Sequence, residues 1–247
     1  MFSESYRPGT LDEIFGHDDA KRSLTEYLTN PSKRFSLLLH GTPGIGKTTL
    51  ALAAARSLNY EPLEVNASRM LRSNDDVSTL RDSCMASVSF LSLVKYTVPR
   101  KTCVILDEID GSDPHAQRKV LEWIQDETRS VPILMTANEE PVIFKRAKAH
   151  VKSVRCMPSS AHVLYEHLSP PCTFPEFQVL AKECLHDVRR IWNRIQYGHS
   201  DPVTTFPLTG DPLKDLHRQI DGFYKTDPIR SHLESIDTAQ GSSHLPH

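Results

Sequence analysis

Runs of apolar residues recur along the first 157 residues, and most of them are followed by glycine or polar residues. Such runs are typical of strands in a parallel sheet, because helices cover both faces of that kind of sheet. The segments between the runs are long enough to contain helices. The pattern therefore predicts an α/β domain with a parallel sheet flanked by helices, with strands near residues 35–40, 61–66, 102–107, 131–137 and 152–157.

The junction between the first strand and the next helix reads Gly41-Thr-Pro-Gly-Ile-Gly-Lys-Thr48, which matches the phosphate-binding pattern G-x-x-x-x-G-K-[ST]. Residues 47–58 are rich in strong helix formers, so the pattern lies at the strand-to-helix turn that it requires. Its glycines let backbone N–H groups turn toward phosphate oxygens, and the helix start adds partial positive charge. The nucleotide contacts predicted in this loop are Gly41, Thr42, Pro43, Gly44, Ile45, Gly46, Lys47, Thr48 and Thr49.

Polar side chains follow the next two long apolar strands. Asp107 and Glu108 end the third predicted strand, and Asn138 follows the fourth. In parallel sheets, ligands lie at the carboxyl ends of the strands, so these residues are expected to meet the phosphates. We expect Thr48 and Asp107 to ligate Mg²⁺. A second carboxylate indicates hydrolysis, with Glu108 polarising the attacking water and Asn138 holding that water or the γ-phosphate.

The phosphate-binding loop, the Asp-Glu pair and the strand-ending Asn together resemble the motifs of the AAA+ ATPases. Residues 6–17 resemble the N-terminal signature of the clamp-loader branch, replication factor C, and Val65-Asn-Ala-Ser68 resembles its element after the second strand. This resemblance covers roughly residues 5–197 and implies ATP and Mg²⁺ as cofactors. It also implies that the N-terminal segment lies against the base and ribose, with contacts from Tyr6, Arg7, Pro8, Phe15 and Gly16.

A helical lid is expected after the sheet. Ser159-Ser160 can cap its first helix, and Pro170-Pro171 separates that helix from the next. Residues 185–196 resemble the clamp-loader lid helix GD-x-R-x-x-x-N-x-L-Q, with matches at Asp187, Arg189, Asn193 and Gln196. The resemblance implies that Arg189 is the catalytic sensor-2 arginine, which reaches from the lid to the γ-phosphate.

Two features resemble the large subunits of the clamp loader more than the small ones. Asp107-Glu-Ile-Asp-Gly111 is similar to the large-subunit sequence at this position. Arg155, placed by its distance from Asn138 and by Pro158, aligns with a strand of the large subunits. The alternative interpretation makes Arg155 an arginine finger that acts on a neighbour's ATP.

Charge and cysteine content restrict the classes of partner. The 247 residues carry a net charge of -2, which excludes a globally basic nucleic-acid binder but allows a local basic face. A stretch between residues 141 and 165 contains no acidic residue, and it is interpreted either as a DNA- or subunit-facing patch or as a solvated surface. Its basic residues are Lys145, Arg146, Lys148, Lys152 and Arg155; Arg118, Lys119 and residues 69–72 are further candidates. Five scattered cysteines indicate reduced thiols rather than a zinc site.

Three regions are expected along the chain. Residues 1–157 are predicted to form the nucleotide-binding domain and 158–197 the helical lid. Residues 198–247 are predicted to form a polar, partly disordered tail. Clamp-loader subunits carry a helical collar domain after the lid, and the resemblance implies that the collar is truncated or divergent here. The resemblance implies an ATP-hydrolysing subunit of a sliding-clamp loader. Its partners would be small clamp-loader subunits in a hetero-pentamer, the sliding clamp and primer–template DNA, with no membrane. It would be nuclear, or cytoplasmic in a prokaryotic or viral host. The alternatives are a homo-oligomeric DNA remodeller and a low-turnover scaffold subunit that binds ATP.

Overall fold

The computed structural model describes residues 7–30, 35–84 and 98–197. Its strands are β1 (Ser36–His40), β2 (Tyr60–Asn66), β3 (Lys101–Asp107), β4 (Ile133–Ala137) and β5 (Val151–Arg155). They form one parallel sheet in the order β2-β3-β4-β1-β5. Each strand lies within two residues of its predicted position, so the predicted parallel α/β fold is confirmed. The predicted tail from residue 198 onward and Tyr6 lie outside the described residues.

Helices connect the strands and follow the last of them. Before β4 they are α1 (Asp18–Thr29), α2 (Lys47–Ser57), α3 (Ala67–Met70), α4 (Asn74–Ser83) and α5 (Pro114–Gln125), with a short 3-10 turn at Ile109–Gly111. After β4 they are α6 (Val142–Arg146), α7 (Ala161–Leu168), α8 (Phe174–Glu183) and α9 (Val188–Tyr197). Among the helices of the described residues, none is long and apolar enough to cross a bilayer.

Local side-chain chemistry sets several helix starts. The Asp113 carboxylate accepts a hydrogen bond from the His115 amide N–H (2.7 Å), and Pro114 occupies the first turn of α5. Ser160 accepts from the Val163 amide N–H (3.4 Å) and caps α7, as the sequence predicts.

The sheet is covered on both faces, as its continuous apolar strands require. In β3, Cys103 and Ile105 join the hydrophobic cluster covered by α1 and α2, while Val104 and Leu106 join the cluster covered by α5. All four residues have no exposed surface. Burying an aliphatic side chain of this size contributes about 1.5–3 kcal/mol, so the two clusters hold the strand ends in fixed positions.

The three helices after β5 share a hydrophobic cluster of their own. Leu164 of α7, Phe177 of α8 and Ile191 of α9 are fully buried in it, and Phe15 packs against it from the N-terminal segment. This is the arrangement expected of a helical lid. The boundary predicted between residues 157 and 158 stays a prediction.

The last helix begins at Val188, three residues later than the start of the segment that resembles the lid helix. Leu185 and His186 have φ angles of 54° and 57°, which lie in the left-handed region and interrupt the helix. Asp187 then starts α9 by accepting a hydrogen bond from the Arg190 amide N–H (3.0 Å). Arg189 consequently lies in the first turn of α9.

Candidate nucleotide-binding site

A cavity of about 540 Å³ lies at the carboxyl edge of the sheet, bounded by the N-terminal segment and the lid helices. The sheet side of its wall consists of Pro43 to Thr49, Glu64, Asp107, Glu108 and Thr136 to Asn138. The N-terminal segment and the lid contribute Arg7, Pro8, Glu13, Ile14, Phe15, His17, His167, Leu168, Val188, Arg189 and Trp192. Most of the predicted site residues are therefore brought together in one cavity.

The phosphate-binding loop and the lid are in direct contact at Gly44. The Val188 amide N–H donates to the Gly44 carbonyl oxygen (3.1 Å). Gly44 has a φ of 75°, and a Cβ atom at this position would lie 2.0 Å from the Asp187 carboxylate carbon. Only glycine fits this combination of backbone conformation and close approach.

Lys47 is held inside the loop by three acceptors. Its ammonium donates to the carbonyl oxygens of Gly41 and Thr42 (both 2.8 Å) and to Asn138 Oδ1 (3.1 Å). Burial lowers the pKa of Lys47 from its ordinary value, while Cys156 and the nearby carboxylates partly offset this effect. The side chain is thus anchored at the place where the sequence predicts the β- and γ-phosphates.

Thr48 and Asp107, the predicted metal ligands, are adjacent. Thr48 Oγ1 donates to Asp107 Oδ1 (2.6 Å), and the hydroxyl of Thr136 also donates to that carboxylate oxygen. Mg²⁺ prefers oxygen ligands in octahedral geometry and commonly takes only one or two from the protein, the rest being water and phosphate. The hydroxyl and carboxylate oxygens present here fit such an ion.

Glu108 lies at the mouth of the cavity and is restrained by the segment after β2. Its Oε2 accepts from Asn66 Nδ2 (3.1 Å) and from Ser68 Oγ (3.0 Å). Its own backbone is left-handed, with a φ of 55°. In the sequence, residues 65–68 were identified only by their resemblance to a clamp-loader element. In the structure, Asn66 and Ser68 of this segment hold Glu108, the predicted water-activating carboxylate.

Asn138 is positioned by Asp110, which sequence reasoning did not single out. Asp110 Oδ2 accepts from the backbone N–H groups of Asn138 (3.0 Å) and Glu139 (3.3 Å). Asp110 Oδ1 is buried and has no hydrogen-bond partner among the described residues. The sequence signal that could have identified Asp110 is its position three residues after Asp107, just beyond the end of β3. This position brings it close to the end of the neighbouring strand β4.

The N-terminal segment packs along the phosphate-binding loop. Arg7 Nε donates to Thr49 Oγ1 (3.2 Å), and the Arg7 guanidinium lies 3.7 Å from the Glu64 carboxylate. His17 Nε2 donates to the Ile45 carbonyl oxygen (2.9 Å), and burial lowers the pKa of this imidazole. The segment thereby forms one wall of the cavity, as the resemblance implied.

Three residues predicted to bind nucleotide do not line the cavity. Gly41 and Thr42 direct their carbonyl oxygens to Lys47. Gly16, with a φ of 68°, forms a turn against Ser159, whose hydroxyl oxygen would be 2.9 Å from an added Cβ. Their contribution is therefore to the shape of the loop and the turn, and direct nucleotide contacts from them remain predictions.

The lid supplies residues that the sequence identified only in part. Arg189 lines the cavity as expected, and its guanidinium has no ion pair or hydrogen bond among the described residues. Trp192 and His167 also line the cavity, although neither was predicted. Trp192 follows Arg189 by three residues, so the helical period could have indicated it. No motif marks His167, which reaches the site through tertiary packing.

Arg155 is the last residue of β5, pairs in register with His40, and does not line the cavity. Its predicted place on a strand is confirmed. Of the other basic residues in this stretch, Lys152 lies 3.8 Å from Glu26, and Lys145 and Arg146 are exposed on α6. The surface role of this stretch remains a hypothesis.

Comparisons with known proteins agree with this geometry. Residues 37–155 match the model of the ATPase family associated with various cellular activities (AAA). The replication factor C large subunit of Methanococcus maripaludis strain C7 is 36% identical over 141 residues, which are 55% of this chain and 28% of that protein. The large subunit of Sulfurisphaera tokodaii is 33% identical, over 54% of this chain and 30% of that protein. The large subunit of Methanococcus vannielii is 28% identical, over 68% of this chain and 33% of that protein. The match thus spans about a third of the length of these relatives.

Solved structures with the same fold include the RuvB Holliday junction branch migration motor of Thermotoga maritima. It has a TM-score of 0.55 and 18% identity, and the match covers 77% of this chain and 64% of that one. A single-substitution variant of the same RuvB protein has a TM-score of 0.57 at the same identity and coverage. Identity this low shows the fold alone. The family match and the curated relatives confirm the resemblance expected from the motifs: residues 37–155 form an AAA ATPase domain.

Proposed function

We propose that this chain hydrolyses ATP with Mg²⁺ as a subunit of a DNA sliding-clamp loader. The observation that carries the proposal is the convergence of Lys47, the Thr48–Asp107 pair, Glu108 and Asn138 at one edge of the sheet. The relatives named replication factor C large subunit support the choice of a clamp loader among the functions of AAA ATPases.

Each side chain has a distinct task in hydrolysis. Lys47 would exchange its carbonyl partners for β- and γ-phosphate oxygens, and the loop N–H groups would bind the same phosphates. Mg²⁺, held by Thr48 and Asp107, would neutralise charge on the phosphates. Glu108 would polarise the attacking water while Asn138, anchored through Asp110, orients it.

Arg189 completes the site from the lid side. It lines the cavity as a cation without a described partner, so it is available to stabilise charge that develops on the γ-phosphate. Because α9 contacts the phosphate-binding loop through Gly44, a change at the phosphates can be transmitted to the lid. We propose this linkage as the means by which nucleotide state affects subunit packing.

The proposed partners are those of a clamp loader: small loader subunits, a sliding clamp and primer–template DNA. Exposed basic residues on and after α6 would contact the DNA backbone or a neighbouring subunit. A nuclear location, or a cytoplasmic one in a prokaryotic or viral host, remains part of the proposal.

The proposal is tested by purifying the tagged chain from its native host and measuring ATP hydrolysis by the recovered complex. Clamp-loader subunits should copurify, and clamp together with primed DNA should stimulate hydrolysis more than either alone. Lys47→Ala is the matched negative control, since it removes the phosphate-binding ammonium. Recovery of a homo-oligomer stimulated by branched DNA would instead support the remodeller. ATP binding without turnover under all conditions would support the scaffold.

A further inference from the structure

Two rings from distant parts of the chain meet on the wall of the cavity. Phe15 lies in the turn before α1, and His167 lies near the end of α7. Their ring centroids are 4.7 Å apart, with an angle of 38° between the ring planes. Phe15 is half-buried against the lid cluster, whereas His167 is exposed. The pair therefore presents an aromatic surface to the cavity, supported from behind by the hydrophobic cluster of the lid.

The hydrogen bond of His167 fixes which of its nitrogens carries a proton. Nδ1 lies 2.9 Å from the Val163 carbonyl oxygen, and a carbonyl oxygen can only accept. Nδ1 is therefore the protonated nitrogen of the neutral ring, and Nε2 is left with a lone pair. Within the described ranges Nε2 has no hydrogen-bond partner, so it is available as an acceptor.

An acceptor on an aromatic wall distinguishes the two purine bases. Adenine carries an amino donor at the ring position where guanine carries a carbonyl acceptor. Facing an Nε2 lone pair, the adenine amino group forms a hydrogen bond, whereas the guanine oxygen would oppose a second acceptor and lose its hydration. A site that hydrogen-bonds its substrate rejects the analogue that lacks the matching group more strongly than a purely apolar pocket does.

We infer that His167 joins Phe15, a base contact that the resemblance already implies, on the base-binding wall, and that Nε2 of His167 selects adenine over guanine. This inference rests on the proposed function, which requires a nucleoside triphosphate in the cavity. It adds a specificity-determining residue to that function. Phe15 supplies stacking area, while His167 supplies both a ring face and the only acceptor on this pair.

The test replaces the ring nitrogen and keeps the ring. His167→Phe retains an aromatic surface against Phe15 and removes the Nε2 acceptor. His162→Phe is the matched control, because His162 lies on the same helix, packs against Phe174 (5.8 Å between centroids) and does not line the cavity. Calorimetric titration of the full chain with ATP and with GTP gives the ratio of the two dissociation constants for each variant.

The wild type should bind ATP more tightly than GTP. His167→Phe should reduce this preference by about tenfold, the effect of one hydrogen bond of average strength, while His162→Phe preserves it. His167→Ala, which also removes the ring face, should weaken ATP binding further than His167→Phe does. Melting curves of all three variants identify any loss of folding.

The outcomes separate this inference from the proposed function. ATP binding with the same preference in His167→Phe as in the wild type would overturn the inference and leave the proposed function standing. Equal affinity of the wild type for ATP and GTP would overturn it as well. A wild-type chain that binds neither nucleotide would overturn the proposed function, and the inference with it.

Discussion

The two walls of the cavity differ in how completely their polar groups are paired. On the sheet wall, Lys47 has three acceptors, Thr48 is bonded to Asp107, and Glu108 accepts two hydrogen bonds. On the lid wall, the Arg189 guanidinium has no partner among the described residues. These groups of the sheet wall are held by protein neighbours, whereas the lid wall offers a charge to a ligand.

This difference indicates separate tasks for the two walls. The sheet wall is rigid because the two hydrophobic clusters bury its strands, so it can fix the phosphate geometry before a nucleotide arrives. The lid has its own cluster and touches the phosphate-binding loop through Gly44 and Val188. A ligand shifts a conformational equilibrium only through contacts that differ between states, and Arg189 provides such a contact.

The largest expected effect on turnover comes from removing the carboxylate of Glu108, the proposed general base, from the sheet wall. Glu108→Gln keeps the size of the side chain but removes its negative charge, so turnover should fall by about 10²- to 10⁴-fold. ATP affinity should remain, since Glu108 is not predicted to contact phosphate. Phosphate release and calorimetry measure the two quantities. Glu139→Gln, an exposed change beside Asn138 and off the cavity wall, is the control. Equal turnover in Glu108→Gln would favour the scaffold alternative.

A smaller loss is expected from the lid wall. Arg189→Ala removes one cation from the cavity wall, and turnover should fall by about 10²- to 10³-fold, as when one transition-state donor is removed. Arg190→Ala is the matched control, since it is the next residue on the same helix and does not line the cavity. Steady-state kinetics of both variants compares them directly. Similar losses in the two would mean that Arg189 acts only through the stability of the helix.

The contact between the walls can be broken at Gly44. Gly44→Ala combines an unfavourable φ with a collision against Asp187, whereas Gly46→Ala shares only the unfavourable φ, because an added Cβ there meets nothing within 4 Å. Each strained backbone costs about 1–3 kcal/mol, so both variants should melt lower than the wild type without nucleotide. Gly44→Ala should melt lower than Gly46→Ala and should speed amide exchange at Val188. Equal melting temperatures would contradict the role of the Asp187 contact.

The smallest effect is expected where the sheet wall restrains Glu108. Ser68→Ala removes one of the two hydrogen bonds that restrain the Glu108 carboxylate, which then turns more freely to water. Turnover should rise about two- to fivefold, in line with the loss of one weak hydrogen bond. Phosphate release measures the change. The rise should vanish when Ser68→Ala is combined with Glu108→Gln. A rise that persists there would show that Ser68 acts by another route.

Much of the sheet wall could be predicted from the sequence because its residues follow strands. A strand end fixes where the next side chain lies, so Asp107, Glu108 and Asn138 were placed at one edge before any contact was known. The restraint of Glu108 by Asn66 and Ser68 was not predicted, because strand order was unknown from the sequence. The pairing of β2 with β3 brings these residues together.

The lid wall was less predictable because loops and helix packing determine it. The left-handed residues Leu185 and His186 delay α9, a feature that resemblance to a lid helix did not reveal. His167 reaches the cavity only because α7 packs with α8 and α9 in the lid cluster. Its position relative to Phe15, more than 150 residues earlier in the chain, has no counterpart in any local pattern.

The sequence by itself determined the fold class, the phosphate-binding loop and the residue types available for hydrolysis, since these depend on local periodicity and on short motifs. Only the tertiary structure decided which of those residues are paired and which remain open to a ligand. The physical reason is that hydrogen bonds such as those of Lys47 with Asn138 and of Glu108 with Ser68 join residues far apart in the chain. Strand order and helix packing create such neighbours, and no local propensity encodes them.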